Sequence, residues 1–360
     1  MIIREVKMYA YIGCRTTKER NARGRGISVY KVDEQHMGDA DQWKLVRILE
    51  GEINPSFLCI NRKQDRLYSI HGDFSEVSAY AIDDEGMIEK MVTRGTHGTN
   101  PVHLLLSESE KWLFVANLQT GSVSVMPVLE DGSLGKIEEL YFISGDGGPG
   151  HISHPHQICL DRTGKWMLVP TQGRLQGVGK VTSFRIDEEN GTLQEVSFLK
   201  ARTGGEPRNC VFHPNNRFLY FLNEKDSTMW FCHFDEETGT MEPQQILTTL
   251  PETYPGDGWA SGLIMSKDGK TLYASNRKHD SITVFGVDQG SGRMTYLQNI
   301  KTGGGQPRFI TFTPDEKSVI AANEISDTLT FFDIQKDGTL SAAGMLQTES
   351  PVCIAFSAGT

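Results

Sequence analysis

The chain has 360 residues, more than one compact core usually holds, so it comprises either several domains or one architecture that grows by adding units. Its 36 Lys and Arg against 46 Asp and Glu give a net charge of −10 with no basic run, which argues against nucleic-acid binding. No window approaches a membrane span, and MIIREVKMYAYIG is interrupted by charge too early to read as a secretory leader, so a cytoplasmic protein acting away from membranes is expected.

The pattern is β from the start. Met8–Gly13 reads as a strand. The stretch Arg15 to Arg25 holds five cations, but Gly, Ala and Glu break it, and it reads as a loop. Strands follow at Gly26–Asp33 and Trp43–Leu49. A recurring anchor then sets in: Pro55, Pro101, Pro155, Pro207, Pro307 and Pro351 each precede a short apolar run, and Ala260 in WASGLIM takes the same place. The spacings are 46, 54, 52, 53, 47 and 44 residues, the size of a four-stranded propeller blade. Each unit repeats one grammar. An apolar strand A is followed by a polar turn such as DRTGKW or HPNNRF, then a second apolar strand B such as KWMLVPTQ or RFLYFLNE. An alternating strand C often ends at Asp, and a turn such as NGTL, TGTM or DGTL leads to strand D. No segment carries a helical period over three turns.

The chain thus begins with strand B of a blade and ends, at Ser350–Ala355, with a lone strand A. The fold expected is all-β: a seven-bladed β-propeller over residues 1–360, with four-stranded antiparallel blades, closed by pairing the C-terminal strand with the N-terminal blade. The cysteines Cys14, Cys59, Cys159, Cys210, Cys232 and Cys353 form no CxxC pair and suit reduced thiols; Cys59, Cys159 and Cys210 fall within A strands as packing residues.

Counting from each anchor gives columns. One residue on lie Ser56, Val102, His156, Arg208, Ser261, Arg308 and Val352. Sixteen on lie His71, Asn117, Thr171, Asn223, Asn276 and Asn323, and seventeen on lie Gly72, Leu118, Gln172, Glu224, Arg277 and Glu324. Strands A and B are antiparallel, so the start of A and the end of B share a rim. His156, Gln172, Arg208, Glu224, Arg277, Arg308 and Glu324 should therefore meet at one mouth of the central channel. The recurrent Asn reads as a turn or cap residue, although Asn223, beside Glu224, is also a candidate substrate contact. Arg208 with Glu224, and Arg308 with Glu324, also fit a repeated salt bridge. His154-Pro155-His156 has the spacing of half a metal site but no third ligand, so no metal or other cofactor is expected. Trp259 either closes the mouth or packs between blades, and His213 reads as structural.

At these residues the chain resembles the seven-bladed-propeller lactonases, which include the propeller-type 6-phosphogluconolactonases and the fungal carboxy-cis,cis-muconate cyclases. The matching segments are HPHQICLDRTGKWMLVP, GGEPRNCVFHPNNRFLYFLNE, DGWASGLIMSKDGKTLYASNR and GGQPRFITFTPDEKSVIAANE, and the likeness runs through essentially the whole chain. It implies a His–Arg–Glu–Arg site of His156 or His154, Arg208, Glu224 and Arg277; Arg308, Gln172, Asn223, Glu324 and Trp259, at the same rim, are the candidate substrate contacts. The implied substrate is a small anionic lactone. In that scheme Glu224 or His156 activates water, the other protonates the leaving alkoxide, and arginines hold the oxyanion and an anionic substrate group. A muconate-type cycloisomerase uses the same parts in reverse. A non-catalytic binding propeller is the alternative from another class.

Overall fold

The computed structural model describes residues 8–145, 150–174 and 177–358. Seven antiparallel sheets follow one another in chain order. Blade 1 is composite: its strands B, C and D are Met8–Cys14, Gly26–Val32 and Trp43–Glu50, and its strand A is Pro351–Ala358 from the other end of the chain. Tyr9 lies opposite Ser357 and Ile12 opposite Ile354, so the ring is closed by a β ladder. The expected seven-bladed propeller and its closure are both present. Strand ends differ from the sequence reading by one to three residues, most at the C-terminal strand, where ladder pairing with Met8 and Tyr9 carries the extended conformation on to Ala358. The helical content of the described residues is two short 3₁₀ turns, Lys18–Arg20 and Ala40–Gln42. No helix among the described residues is long and apolar enough to cross a membrane.

Alternating apolar residues on strands B and C bury both faces of each blade against its neighbours, and seven apolar clusters fill the seven interfaces. Between blades 1 and 2, for example, Tyr11, Ile27 and Val29 pack on Leu58, Leu67 and Tyr80. A polar link recurs at these interfaces. An aromatic residue of strand B donates to a carbonyl in the C–D turn of the next blade: Tyr11 to Gly86, Tyr68 to Gly132, Tyr220 to Gly292 and Tyr273 to Gly338, at 2.7–2.9 Å. Trp112 and Trp166 do the same through indole N–H, to Glu188 and Glu236. The turn glycine noted in NGTL and TGTM has its reason here. Gly191 and Gly239 have φ of 68°, and a Cβ on either would strike the ring of Trp112 or Trp166. Blade 7 has no aromatic in strand B, and there Trp43 of blade 1 fills the interface, edge-on to Phe331 at 5.2 Å.

The recurrent Asn is a link within the blade. Asn117, Asn276 and Asn323 are fully buried and donate to hydroxyls of strand C: Ser124 at 2.8 Å, Thr283 at 3.2 Å and Thr330 at 3.0 Å. His71 stands at the same position, with Nδ1 donating to the Ile53 carbonyl at 2.8 Å and Nε2 accepting from the Ser78 hydroxyl at 2.7 Å. All six cysteines are free.

A chain ending at Ser350 lacks the strand that closes the ring. It is expected to lose its cooperative thermal transition, whereas Ile354→Ala, at a site 4% exposed, costs about 2–5 kcal/mol and keeps the transition. Circular dichroism melting compares them; an unchanged midpoint in the truncated chain would refute closure as the source of stability.

Candidate active site at the channel mouth

Two backbone features aim side chains into the mouth. The residue before the anchor has positive φ in six blades: Asn54, Asn100, Glu206, Trp259, Gln306 and Ser350, at 40–63°. Its carbonyl accepts from the residue just past strand B. Glu206 accepts from Glu224 at 2.8 Å, Trp259 from Arg277 at 3.0 Å, Gln306 from Glu324 at 3.1 Å and Ser350 from Arg15 at 3.1 Å. The A–B ladder then skips the residue after the anchor, so Ser56, Val102, Arg208 and Arg308 are bulged out of register. A bulge re-aims its side chain, and here it turns Arg208 and Arg308 into the channel. In blade 4 strand A is broken into His154–Pro155 and Cys159–Leu160. Between them Gln157 reaches blade 5, where its Oε1 accepts from Cys210 N at 2.6 Å.

The result is a buried polar cluster. Arg208 Nη1 donates to Glu224 Oε2 at 2.8 Å and to His156 Nε2. Arg277 Nη2 lies 2.9 Å from Glu224 Oε1, and Gln172 Nε2 donates to Oε2 at 3.0 Å. Arg208 Nε reaches the Ser261 carbonyl, whose side chain in turn donates to the Arg308 carbonyl at 2.7 Å. Burial raises the Glu224 pKa, but the fields of Arg277 and Arg208 outweigh it and hold the carboxyl below the usual carboxylate range. Burial, then Arg208, pushes His156 well below 6.5, so its imidazole is neutral and Nε2 is free to accept from Arg208. Burial and Arg277 lower Arg208 itself.

Gln172, His156, Arg208, Glu224 and Arg277 are thus brought together from blades 4, 5 and 6. Arg308 and Glu324 adjoin them from blade 7, loosely paired at 3.6 Å. Trp259 backs Arg277, whose guanidinium lies 5.4 Å from the ring centre, and Lys225 and Lys278 cover the same indole. Two candidates point elsewhere. Asn223 is fully buried and donates to Thr228 at 2.9 Å, as the other column asparagines do. His154 meets the Leu118 carbonyl at 2.8 Å through Nδ1. The two histidines therefore face different partners, and among the described residues no group of three or more His, Cys, Asp and Glu is placed to hold a metal ion. The glycine-rich connection Phe142–Ser153, a candidate for shaping access, lies outside the described residues at 146–149.

The columns missed Arg15, which is 2% exposed and lines the cavity with His156, Arg208 and Arg308. It occupies the Glu224 position of blade 1. Its anchor, Pro351, lies at the other end of the chain, so linear counting never reaches it. Aligning YAYIGCR with FLYFLNE would have found it. The cavity has a volume of about 220 Å³, small for a ligand pocket and suited to a single sugar-sized molecule.

A propeller whose inner strands gather arginines around one buried carboxylate and one neutral imidazole offers a polar site suited to a small anionic molecule. The 7-bladed β-propeller lactonase family matches residues 9–356, and the chain belongs to that family. It is 28% identical over 308 residues to the 6-phosphogluconolactonase of Bacillus subtilis, covering 84% of this chain and 87% of that one. It is 26% identical over 341 residues to the 6-phosphogluconolactonase of Formosa agariphila, covering 89% and 91%. The structure of the periplasmic gluconolactonase of Pseudomonas aeruginosa superposes with a TM-score of 0.86 at 25% identity, covering 98% and 100%.

Acid should destabilise the protein through its buried histidines. Burial lowers His103, tilted against Phe57 with ring centres 4.1 Å apart, to about 3. Between the depressed folded values and 6.5 the unfolded chain takes up protons that His103 and His156 refuse, so stability rises with pH there and is fully present above 6.5. The Glu224 contribution is present above 4.5 and is lost as pH falls through its depressed value. Melting temperature is expected to climb from pH 4 to about 6.5 and then level. His103→Gln should flatten the climb by roughly 1.4 kcal/mol per pH unit. A slope that His103→Gln leaves intact counts against this assignment.

Proposed function

We propose that this chain hydrolyses a phosphorylated sugar lactone of the 6-phosphogluconolactone type. The observation that carries the reading is Arg208, bonded at once to neutral His156 and to Glu224, with Arg277 on the carboxylate's other oxygen. Family membership and the names of the relatives support the same reaction class.

In this reading the lactone carbonyl oxygen takes a hydrogen from Arg208 Nη1, the one that Nε2 of His156 shares. That releases the Nε2 lone pair. Water attacks the carbonyl carbon, and His156 accepts its proton as the new C–O bond forms. Arg208 and Arg277 hold the oxyanion in a site with little water. When the tetrahedral intermediate collapses, the ring C–O bond breaks, the imidazolium returns the proton to the leaving alkoxide, and the carboxylic acid formed gives its own proton to solvent, leaving a carboxylate. Glu224, with three donors on two oxygens and a depressed pKa, is a poor proton acceptor; it keeps the two guanidiniums aimed.

Arg208→Met and His156→Gln are each expected to lower kcat about 10²–10⁴-fold on phosphorylated δ-lactones, measured by acid release. With His156 as base, kcat/KM should rise with pH through its depressed pKa and stay level above 6.5. No turnover of any lactone above the spontaneous rate, across a panel of γ- and δ-lactones with and without phosphate, would overturn the proposal.

A further inference from the structure

We propose that Arg15 and Arg308 form a second anion-holding pair, on the blade 1 and blade 7 side of the mouth, that takes the substrate's phosphate dianion. This rests on the lactonase reading above and names where the remote end of the substrate is held.

Both arginines line the cavity that His156 and Arg208 also line. Neither is satisfied. Arg15 is almost wholly buried, yet its Nε has no partner and its Nη1 meets Asp73 only at 3.3 Å. Asp73 is a shared carboxylate: Arg20 binds both of its oxygens, and Asn54 donates to Oδ2 at 3.1 Å. Among the described residues the Arg308 side chain, 17% exposed, makes a 3.6 Å ion pair with Glu324, whose carboxylate also accepts from Gln306 at 3.3 Å. A buried donor left as Arg15 Nε is left is costly unless a ligand completes it.

The charges point the same way. Around the mouth the guanidiniums of Arg15, Arg20, Arg208, Arg277 and Arg308 face the carboxylates of Asp73, Glu224 and Glu324, which leaves two positive charges uncompensated. Arg174 and Glu206 nearby balance each other. Burial and the like charge of Arg308 bring Arg15 down to about 9, as expected of two cations sharing one cavity. A tetrahedral dianion relieves both: it neutralises the excess and offers oxygens to two guanidinium forks, which suits arginine better than lysine. The backbone makes room for it. A Cβ on Gly72 would strike both Arg15 Nη1 and Ser56 Oγ, so glycine there lets Arg15 lie beside the Ser56 hydroxyl, a further donor on the cavity wall.

The experiment compares 6-phosphogluconolactone with glucono-1,5-lactone in the wild type and in Arg15→Lys and Arg308→Lys, which keep the charge and lose the fork. The ratio of kcat/KM for the phosphorylated over the plain lactone is expected to fall about 10- to 100-fold in each variant, through KM. Binding of inorganic phosphate, followed by calorimetry on the full chain, should weaken in parallel while the melting temperature without phosphate stays near wild type. An unchanged ratio with unchanged phosphate affinity overturns the proposal and leaves the lactonase reading standing. Phosphate binding that depends on Arg15 and Arg308 in a wild type that hydrolyses no lactone upholds the subsite and removes the lactonase reading.

Discussion

Six of the seven blades shape the mouth with one and the same backbone hydrogen bond. The carbonyl of a left-handed residue, just before strand A, accepts from the residue just after strand B. That bond ties the two ends of a hairpin at the rim and fixes the direction in which both chains leave the sheet. Because strand A skips a residue in its ladder or, in blade 4, is broken there, each blade presents two side chains to the channel: the residue after the anchor and the residue at or just past the end of strand B. In blades 2 and 3 these are small or apolar, and in blade 1 they are a valine and Arg15. In blades 5 and 7 they are an arginine and a glutamate, in blade 6 a serine and an arginine, and in blade 4 a histidine and a glutamine. A single scaffold rule thus becomes a chemical site by substitution at two positions per unit.

Such a site is expensive for the fold. Five arginines at the rim of a channel repel one another, and the carboxylates among them do not balance the charge. The rest of the molecule bears the strain through seven apolar interfaces and through aromatic-to-carbonyl links that hold each blade to the next. Those links lie far from the channel and join rigid strands, so the rim is held without its own side chains having to pack tightly. A rigid frame of this kind keeps the guanidiniums in fixed directions, the preorganisation on which the electrostatic catalysis proposed above relies.

The sequence made the ring legible because its signal is periodic. Prolines, polar turns and the Asn column recur at blade spacing, and the A–B pairing turned that spacing into a rim. The convergence of His156, Arg208, Glu224 and Arg277 followed from counting alone. What counting could not separate was side-chain direction within a column. Asn223 and Glu224 are neighbours, yet one turns into the blade to meet Thr228 and the other into the channel. His154 and His156 flank a proline, and only the second meets Arg208. Arg15 escaped for a topological reason, since its blade is assembled from both ends of the chain. The break in strand A of blade 4 also has no simple signature, because it depends on Gln157 leaving its own sheet to cap the next.

Blade 1 is where the polypeptide begins and where it ends, and its inner ladder is the one joint in the ring with no covalent turn behind it. Arg15 stands on the early half of that joint. Arg308 leads, through blade 7, into the late half. An anion gripped by both would act as a removable staple between the halves, closing a loop of nearly the whole polypeptide. Occupancy would then slow unzipping at the seam, and the protein's resistance to proteolysis would follow the supply of its own ligand.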